Sequence, residues 1–330
     1  MTHVMVIGGG LSGSVSAAEL AQNGVQVTIV EQSGQIGGKV REYGCKATDK
    51  CNNCGVCLTG GLWEKVEKHP NIDVLSYAKL VDVTGKTGDY SAVVKTPDGL
   101  SYINGITSLV VATGFEEVPA VGGHLQIDGT EGLVRGLALE KICKTRSKEA
   151  LFDTAPKSVA FIQCVGSRDK QDDAMYCSRV CCSYSTRAAK VIRHYYPDCA
   201  ITFFYMELQA VSGGDYFKEL EGLGIEFIKC RPLKVKGGEP VTVEYEDLAS
   251  GDLTERTFDL LMLSDGIHPP RDADRLAEIC GLGQNSNGFF KNVGDPMEAG
   301  IFISGCAKGP AKIEEVYADS MAVAKQILMM

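Results

Sequence analysis

The chain opens on an apolar run, HVMVI, followed by a glycine cluster, a stretch of small and apolar residues at helical spacing, and a second apolar run, VQVTIV. That order predicts a strand, a glycine turn, a helix, a turn at Asn23 and Gly24, and a second strand ending at Glu31, which together make a βαβ unit. In SAVVKTPDGLSYIN, alternating apolar and polar positions predict two strands joined at Pro97, Asp98 and Gly99, and the apolar run SLVVATGF is a further buried strand. A similar order then returns. KSVAFIQ is a strand, Cys177 to about His194 a helix, AITFFYM a strand, Tyr216 to Leu223 a helix, and IEFIK a strand. A second hairpin, VTVEYED with ERTFDLLML, runs into LSDG as the first runs into VATG. GIFISGC and residues 311–328 supply a closing strand and an amphipathic helix that return to the first unit. The pattern therefore predicts an α/β chain of two Rossmann-like dinucleotide-binding domains with the second inserted in the first, residues 1–120 and 265–330 against 121–264.

Gly8, Gly10 and Gly13 complete G-x-G-x-x-G directly after the first strand, where glycines let the backbone approach a pyrophosphate at a helix N-terminus. Glu31, at the end of the second strand, is placed to accept from ribose hydroxyls. The second unit lacks such a turn, because VAFIQ is followed by Cys164, Val165, Gly166, Ser167 and Arg168, with a single glycine. Direct use of NAD(P)H by that unit is thereby disfavoured.

Composition narrows the partners. A formal charge of −9 disfavours nucleic acid and anionic membrane surfaces, whose phosphates call for a basic face. The sequence offers no run of about 18 apolar residues and enters its first strand without a signal-peptide core. A soluble, cytoplasmic protein with protein or small-molecule partners is expected.

Of 13 cysteines, four fall at Cys45, Cys51, Cys54 and Cys57 and four at Cys164, Cys177, Cys181 and Cys182. Clustered cysteines without a secretion signal favour metal or redox chemistry over a disulfide framework. In the second group, Cys177 and Cys181 would share one face of the predicted helix, Cys182 adds an adjacent thiolate, and Cys164 would approach from the preceding strand turn. In the first group, C-x2-C-x2-C with Cys45 admits three chemistries: a [4Fe-4S] cluster, a thiolate zinc site, or a redox disulfide such as Cys51 with Cys54. His3, His69, His124, His194 and His268 have no metal-ligand spacing, and no P-loop or hydrolase serine motif is present.

The set VIGGGLSG, Glu31, GQIGGK, VVATG and GIFISGCAKGP resembles the flavoproteins with two dinucleotide-binding domains, of the thioredoxin-reductase type. Within them, CVGSRD with YCSRVCC resembles the cysteine signature of the A-type subunit of heterodisulfide reductase and its relatives. That resemblance implies FAD along Gly8, Gly10, Gly13 and Glu31, with Gly37, Gly38 and Lys39 near the flavin, Thr113 and Gly114 beside it, Gly305 closing the site, and the last helix starting near Pro310. It implies that Lys39 stabilises an anionic reduced flavin, and that Cys164, Cys177, Cys181 and Cys182 hold a [4Fe-4S] cluster whose charge Arg168 and Arg179 would offset. Cys306 stands where many such flavoproteins carry Asp. The implied protein is a FAD-dependent electron-transfer subunit with one or two clusters, working with other subunits of a heterodisulfide-reductase-like complex and with iron-sulfur or thiol/disulfide partners, or as a homodimer. Its compactness points to the shorter sulfur-oxidising type. The competing expectations are a stand-alone NAD(P)H-dependent disulfide reductase using Cys51 and Cys54, and a scaffold holding FAD structurally.

Overall fold

A computed structural model describes residues 2–117, 124–147, 150–209 and 216–330, the side chains of 216 and 217 excepted. The backbone groups into two compact units, 1–41 with 55–116 and 268–330, and 42–54 with 117–267. The boundary expected between residues 120 and 121 lies outside the described residues.

The first unit is built on a five-stranded parallel sheet in the order Ile301–Ile303, Ser108–Val111, His3–Ile7, Gln26–Val30, Ile72–Leu75. Its central strand is apolar from Val4 to Ile7 because both of its faces are covered there, and Val4, Met5 and Val6 are fully buried. The helix Leu11–Gln22 is lined with serine, glycine and alanine, which lets it lie close to the strand and to the last helix, Ile313–Leu328, where Ser16 Oγ donates to Ser320 O at 3.2 Å. Gly13 is obligatory in that packing, since a Cβ there would stand 1.9 Å from Gly8 O. Three antiparallel strands, Lys79–Lys86, Asp89–Thr96 and Gly99–Ile106, form a separate sheet whose apolar face, including Leu80, Tyr90, Val94 and Ile106, shares a core with Leu276 and Cys280.

The second unit repeats the plan. Its five-stranded parallel sheet runs Leu133–Arg135, Leu260–Asp265, Ser158–Val165, Ala200–Tyr205, Ile225–Lys229. One face is closed by Phe161, Ile192 and Phe203, with the two phenylalanine rings stacked at 4.5 Å. The other is closed by Phe204, Tyr245 and Phe258, against a four-stranded sheet of Leu253–Phe258, Val241–Glu246, Lys234–Lys236 and Gln126–Asp128. Both parallel sheets carry their earliest βαβ strand in the centre and the strand that returns from an antiparallel hairpin beside it.

One expected element is corrected. The helix anticipated from Cys177 begins at Cys181 and runs Cys181–Tyr195. Arg179 adopts a left-handed backbone, φ 61°, and its N–H donates to Cys177 Sγ at 3.3 Å. Ser178 Oγ is engaged in accepting from Ile267 N at 2.9 Å. A left-handed arginine cannot belong to a right-handed helix, so Cys177 leads into the first turn and does not share a face with Cys181. No helix among the described residues is long and apolar enough to cross a membrane.

Candidate cofactor and cysteine sites

The end of the first strand is shaped by contacts that only glycine permits. Gly8 has φ 100°, and a Cβ on it would lie 2.6 Å from Ala112 O. Gly37 N donates to Gly9 O at 2.7 Å, and a Cβ on Gly38 would meet Gly10 Cα at 3.1 Å, so the GGK segment lies directly on the glycine turn. Gly305 is held against the same helix start, with Ser12 Cβ 2.8 Å from where its own Cβ would be. Beneath that contact, Ser12 Oγ donates to Ser304 Oγ at 2.6 Å and Ser320 Oγ donates to Ser12 Oγ at 2.9 Å, a buried hydroxyl cluster joining the first and last helices of the unit. Glu31 is buried, and its two oxygens accept from Gly9 N and Ser33 N, each at 2.7 Å. The expected residues Gly8, Gly10, Gly13, Glu31, Gly37, Gly38, Thr113 and Gly305 are thus gathered at the carboxyl end of one parallel sheet, where doubly wound folds take their ligands.

Two observations fit this cradle to a dinucleotide. A Cβ on Gly10 or on Gly114 would meet nothing within 4 Å, so the surface beside both is open. Thr113 Oγ1 is buried and, among the described residues, has no hydrogen-bond partner, an unfavourable state that a bound group would relieve. Lys39 stands in the short turn Gly38–Glu42, with Nζ 4.0 Å from Glu116 Oε2 and 5.2 Å from the centre of the Phe115 ring. Pro310 precedes the last helix, whose start is capped from within by Glu315 Oε2 accepting from Lys312 N at 2.8 Å. Cys306 gives its thiol to Ala311 O at 3.6 Å and is pushed up to about 11 by burial. The carboxylate beside Gly305 comes instead from Asp319, which accepts from Gly305 N at 2.8 Å and pairs with Lys308 at 2.6 Å. A partner 14 residues downstream on a helix left no signal that motif spacing would detect.

At the equivalent place in the second unit the chain does something else. Regular pairing of the central strand ends at Ile162, the register shifts before Val165, and Cys164 sits within that irregularity at φ 61°. Arg168, Asp173 and Arg179 are also left-handed, at 55°, 50° and 61°. A non-glycine residue in this region costs about 1–3 kcal/mol, and such strain concentrates at functional sites. The loop returns to the helix Cys181–Tyr195, whose first turn carries Cys181 and Cys182 at its positive end. Burial pushes the Cys164 thiol up to about 11, reinforced by Cys182 and Cys177 and opposed by Arg168. Burial also holds Cys181 well above the ordinary thiol range, with Cys164, Cys182 and Cys177 adding to it. The four sulfurs are therefore electrostatic neighbours. Among the described residues, however, no group of three or more His, Cys, Asp or Glu side chains has the converged geometry of a metal site.

The first cysteine group is partly more open. Cys45, Cys51 and Cys57 are exposed; Cys45, Cys51 and Cys54 belong to the second unit and Cys57 to the first. Locally it repeats a device of the other loop. Asn53 is left-handed, φ 48°, and donates its N–H to Cys51 Sγ at 3.4 Å, as Arg179 does two residues after Cys177. An amide N–H directed at a sulfur is the kind of outer hydrogen bond that orients and tunes a metal ligand. Side chains distant in sequence fix this segment to the second unit. Arg187 donates to Asn52 O at 2.8 Å and to Asn53 O at 2.6 Å, Asn52 donates to Lys46 O at 2.7 Å, and Lys50 pairs with Glu219 at 3.0 Å. Lys46 and Glu140 form a buried ion pair, and burial holds the Glu140 carboxyl above its usual range despite the ammonium beside it. Of these anchors the sequence announced none.

Comparison with known proteins agrees with the layout. Residues 6–59 match a family model described as an NAD(P)-binding Rossmann-like domain. The chain is 28% identical over 417 aligned residues to an iron-sulfur A-type subunit (A 2) of the CoB–CoM heterodisulfide reductase of Methanopyrus kandleri, covering 98% of this chain and 63% of that protein. It is 25% identical to the A-type subunit of the ferredoxin/F(420)H(2)-dependent CoB–CoM heterodisulfide reductase of Methanosarcina acetivorans, covering 99% of this chain and 53% of that one. The chain thus spans between about half and two-thirds of these relatives, and an alignment longer than its own 330 residues means that they carry internal segments it lacks. Among solved structures, thioredoxin reductase from T. acidophilum superimposes with a TM-score of 0.67 at 15% identity, covering 100% of this chain and 99% of that one. The two-unit architecture is that of the thioredoxin-reductase-like fold.

Proposed function

We propose that this protein is a FAD- and iron-sulfur-containing electron-transfer oxidoreductase, the counterpart of the A-type subunit in a heterodisulfide-reductase-like complex of sulfur or thiol/disulfide metabolism. The observation that carries the reading is the cysteine turn of the second unit: a strained loop that places Cys164 at a strand end and Cys181 and Cys182 at a helix start, where the first unit has its glycine cradle. Similarity over nearly the whole chain to the A-type subunits of heterodisulfide reductases supports it. Bound FAD supplies two-electron exchange and a [4Fe-4S] group one-electron exchange, so together they convert one kind of transfer into the other.

The chain's own residues bind, orient and screen. Gly8, Gly10 and Gly13 bring backbone to the pyrophosphate, Glu31 accepts from the ribose, Thr113 Oγ1 offers its unpartnered hydroxyl, and Lys39 supplies positive charge at the flavin edge. Cys164, Cys177, Cys181 and Cys182 form the thiolate set of one cluster, and binding takes a proton from each. Cys45, Cys51 and Cys54 of the second unit offer thiolates for a second set, with Asn53 N–H already turned to the Cys51 sulfur. Within this class we assign the compact sulfur-oxidising type, since the methanogen relatives carry internal segments absent here.

The test is the iron, acid-labile sulfide and FAD content of anaerobically purified protein, read with its ultraviolet-visible spectrum. One FAD with about eight iron and eight sulfide is expected when both groups are filled, and about four of each when only the second is. FAD without iron, together with steady-state flavin reduction by a nicotinamide, would replace this reading with a disulfide reductase using the Cys51 and Cys54 pair.

A further inference from the structure

Three neighbouring strands of the parallel sheet of the first unit end in three different chemistries. The central strand, His3–Ile7, runs into the glycine turn, the strand beside it, Gln26–Val30, ends at Glu31, and the edge strand Ile72–Leu75 runs into Ser76 and Tyr77. From the centre outward the sheet therefore offers a pyrophosphate cradle, a ribose acceptor and an aromatic ring. The ring takes no part in the core, since Tyr77 is 66% exposed.

Tyr77 is held in an unfavourable backbone. Its φ is 52°, in the left-handed region where a bulky residue is an outlier and glycine or asparagine is at ease. Hydrogen bonds on both sides keep it there: Glu31 N donates to Leu75 O at 2.9 Å, Tyr77 N to Ser33 O at 3.0 Å and Ala78 N to Glu31 O at 2.8 Å. The turn is thus tied to the segment that follows Glu31. The Glu31 carboxylate is fixed to that segment too, because its Oε1 accepts from Ser33 N at 2.7 Å. The tyrosine side chain lies across it. A Cβ on Gly34 would stand 2.2 Å from the Tyr77 hydroxyl oxygen and 2.5 Å from its Cζ, so only glycine fits beneath the ring. A strained tyrosine and a bare glycine under it together fix an exposed aromatic face next to the ribose acceptor. Strain of this kind concentrates where ligands are clamped.

We propose that the Tyr77 ring stacks on the adenine base of FAD and forms one wall of the base subsite of the first unit. The base is bonded to the ribose whose hydroxyls Glu31 accepts, and Tyr77 stands beyond Glu31 on the side away from the glycine turn. A tyrosine ring presents a π-face on which a base can stack, and it loses little conformational freedom in doing so. The inference rests on the FAD part of the functional reading above and involves no metal. It goes past that reading by assigning a contact to a side chain outside the glycine motif.

The experiment is equilibrium dialysis of the full chain against FAD, for wild type, Tyr77→Phe and Tyr77→Asn, with urea unfolding of each flavin-free chain beside it. Asparagine suits the left-handed backbone, so Tyr77→Asn removes the ring and relieves the turn at once. The expected result is FAD binding weakened by about tenfold or more in Tyr77→Asn and kept within about twofold of wild type in Tyr77→Phe. The unfolding midpoint of Tyr77→Asn should be no lower than that of wild type. Affinity lost while stability is kept marks a ligand contact. FAD affinity unchanged in Tyr77→Asn would overturn the inference, as would equal losses in the two variants. A fall in the unfolding midpoint of Tyr77→Asn in step with its affinity would also overturn it, by making the ring part of the fold. A wild-type chain that binds no FAD would instead bring down the functional reading itself, and the inference with it.

Discussion

The two units share one sheet order and part company at one turn. In the first, the residue after the central strand is Gly8, at φ 100°, and the turn that follows is glycine because backbone must come close to backbone. In the second, the left-handed residue at the strand end is Cys164, at φ 61°, where a side chain is retained despite the strain. The carboxyl end of a parallel sheet is a general place for ligands, and the residue put at the turn decides which. Glycine there admits a large anion along the backbone. Cysteine there presents sulfur, with Cys181 and Cys182 at the start of the next long helix, which is the exchange of chemistry that the proposed function calls for.

If the comparison is right, the two turns can be disabled independently. The largest effect is expected from Gly10→Val. Its φ of −66° suits any residue and a Cβ there meets nothing within 4 Å, so the fold tolerates the change while the added bulk occupies the dinucleotide's place. Gel filtration and circular dichroism should be unaltered, FAD content should fall by at least tenfold, and iron should be retained.

A second prediction concerns how the second unit holds residues 42–54. Lys46→Met leaves Glu140 buried without its ammonium, at a cost of about 3–5 kcal/mol, measurable as a fall in chemical-denaturation stability. The double change Lys46→Met with Glu140→Leu should recover most of that loss, because no charge is then stranded. Equal losses in the single and double variants would show that packing and not charge is at stake.

A smaller effect is expected of Arg187→Gln, which frees the Asn52 and Asn53 carbonyls at about 1–3 kcal/mol. Alkylation of Cys51 and Cys54 in the metal-free chain should accelerate, with Cys164 unaffected. The smallest effect is a pH dependence. Lys190 and Lys50 hold the Glu219 carboxyl below its ordinary value near 4.5. The folded state therefore binds fewer protons than the unfolded state across that interval, so the contribution is present above about 4.5 and is lost as pH falls through the lowered value. Since the pair is only partly buried, Glu219→Gln should flatten the acid limb of a stability-pH curve by a few tenths of a kcal/mol.

Much of this layout was legible from the sequence, and the parts that were share a cause. Hydrophobic runs marked the strands because both faces of a parallel sheet are buried, and the glycine turn and Glu31 announced themselves because local geometry demands those residue types at fixed offsets. The start of the helix at Cys181 was misplaced, because the spacing of Cys177 and Cys181 looks helical until the left-handed Arg179 and the Ser178 side chain intervene. The anchoring of residues 42–54 was invisible for a different reason. Lys46 with Glu140 and Arg187 with Asn52 are pairings across long stretches of chain, and neither leaves a local pattern. Asp319 beside Gly305 escaped in the same way.

The central claim, that the turn which is glycine in one unit is a cluster-binding cysteine turn in the other, is tested most directly by iron and FAD determinations on Cys181→Ser beside the wild-type chain. The account predicts the loss of about four iron and four sulfide with one FAD retained. Iron content unchanged by that substitution would contradict it.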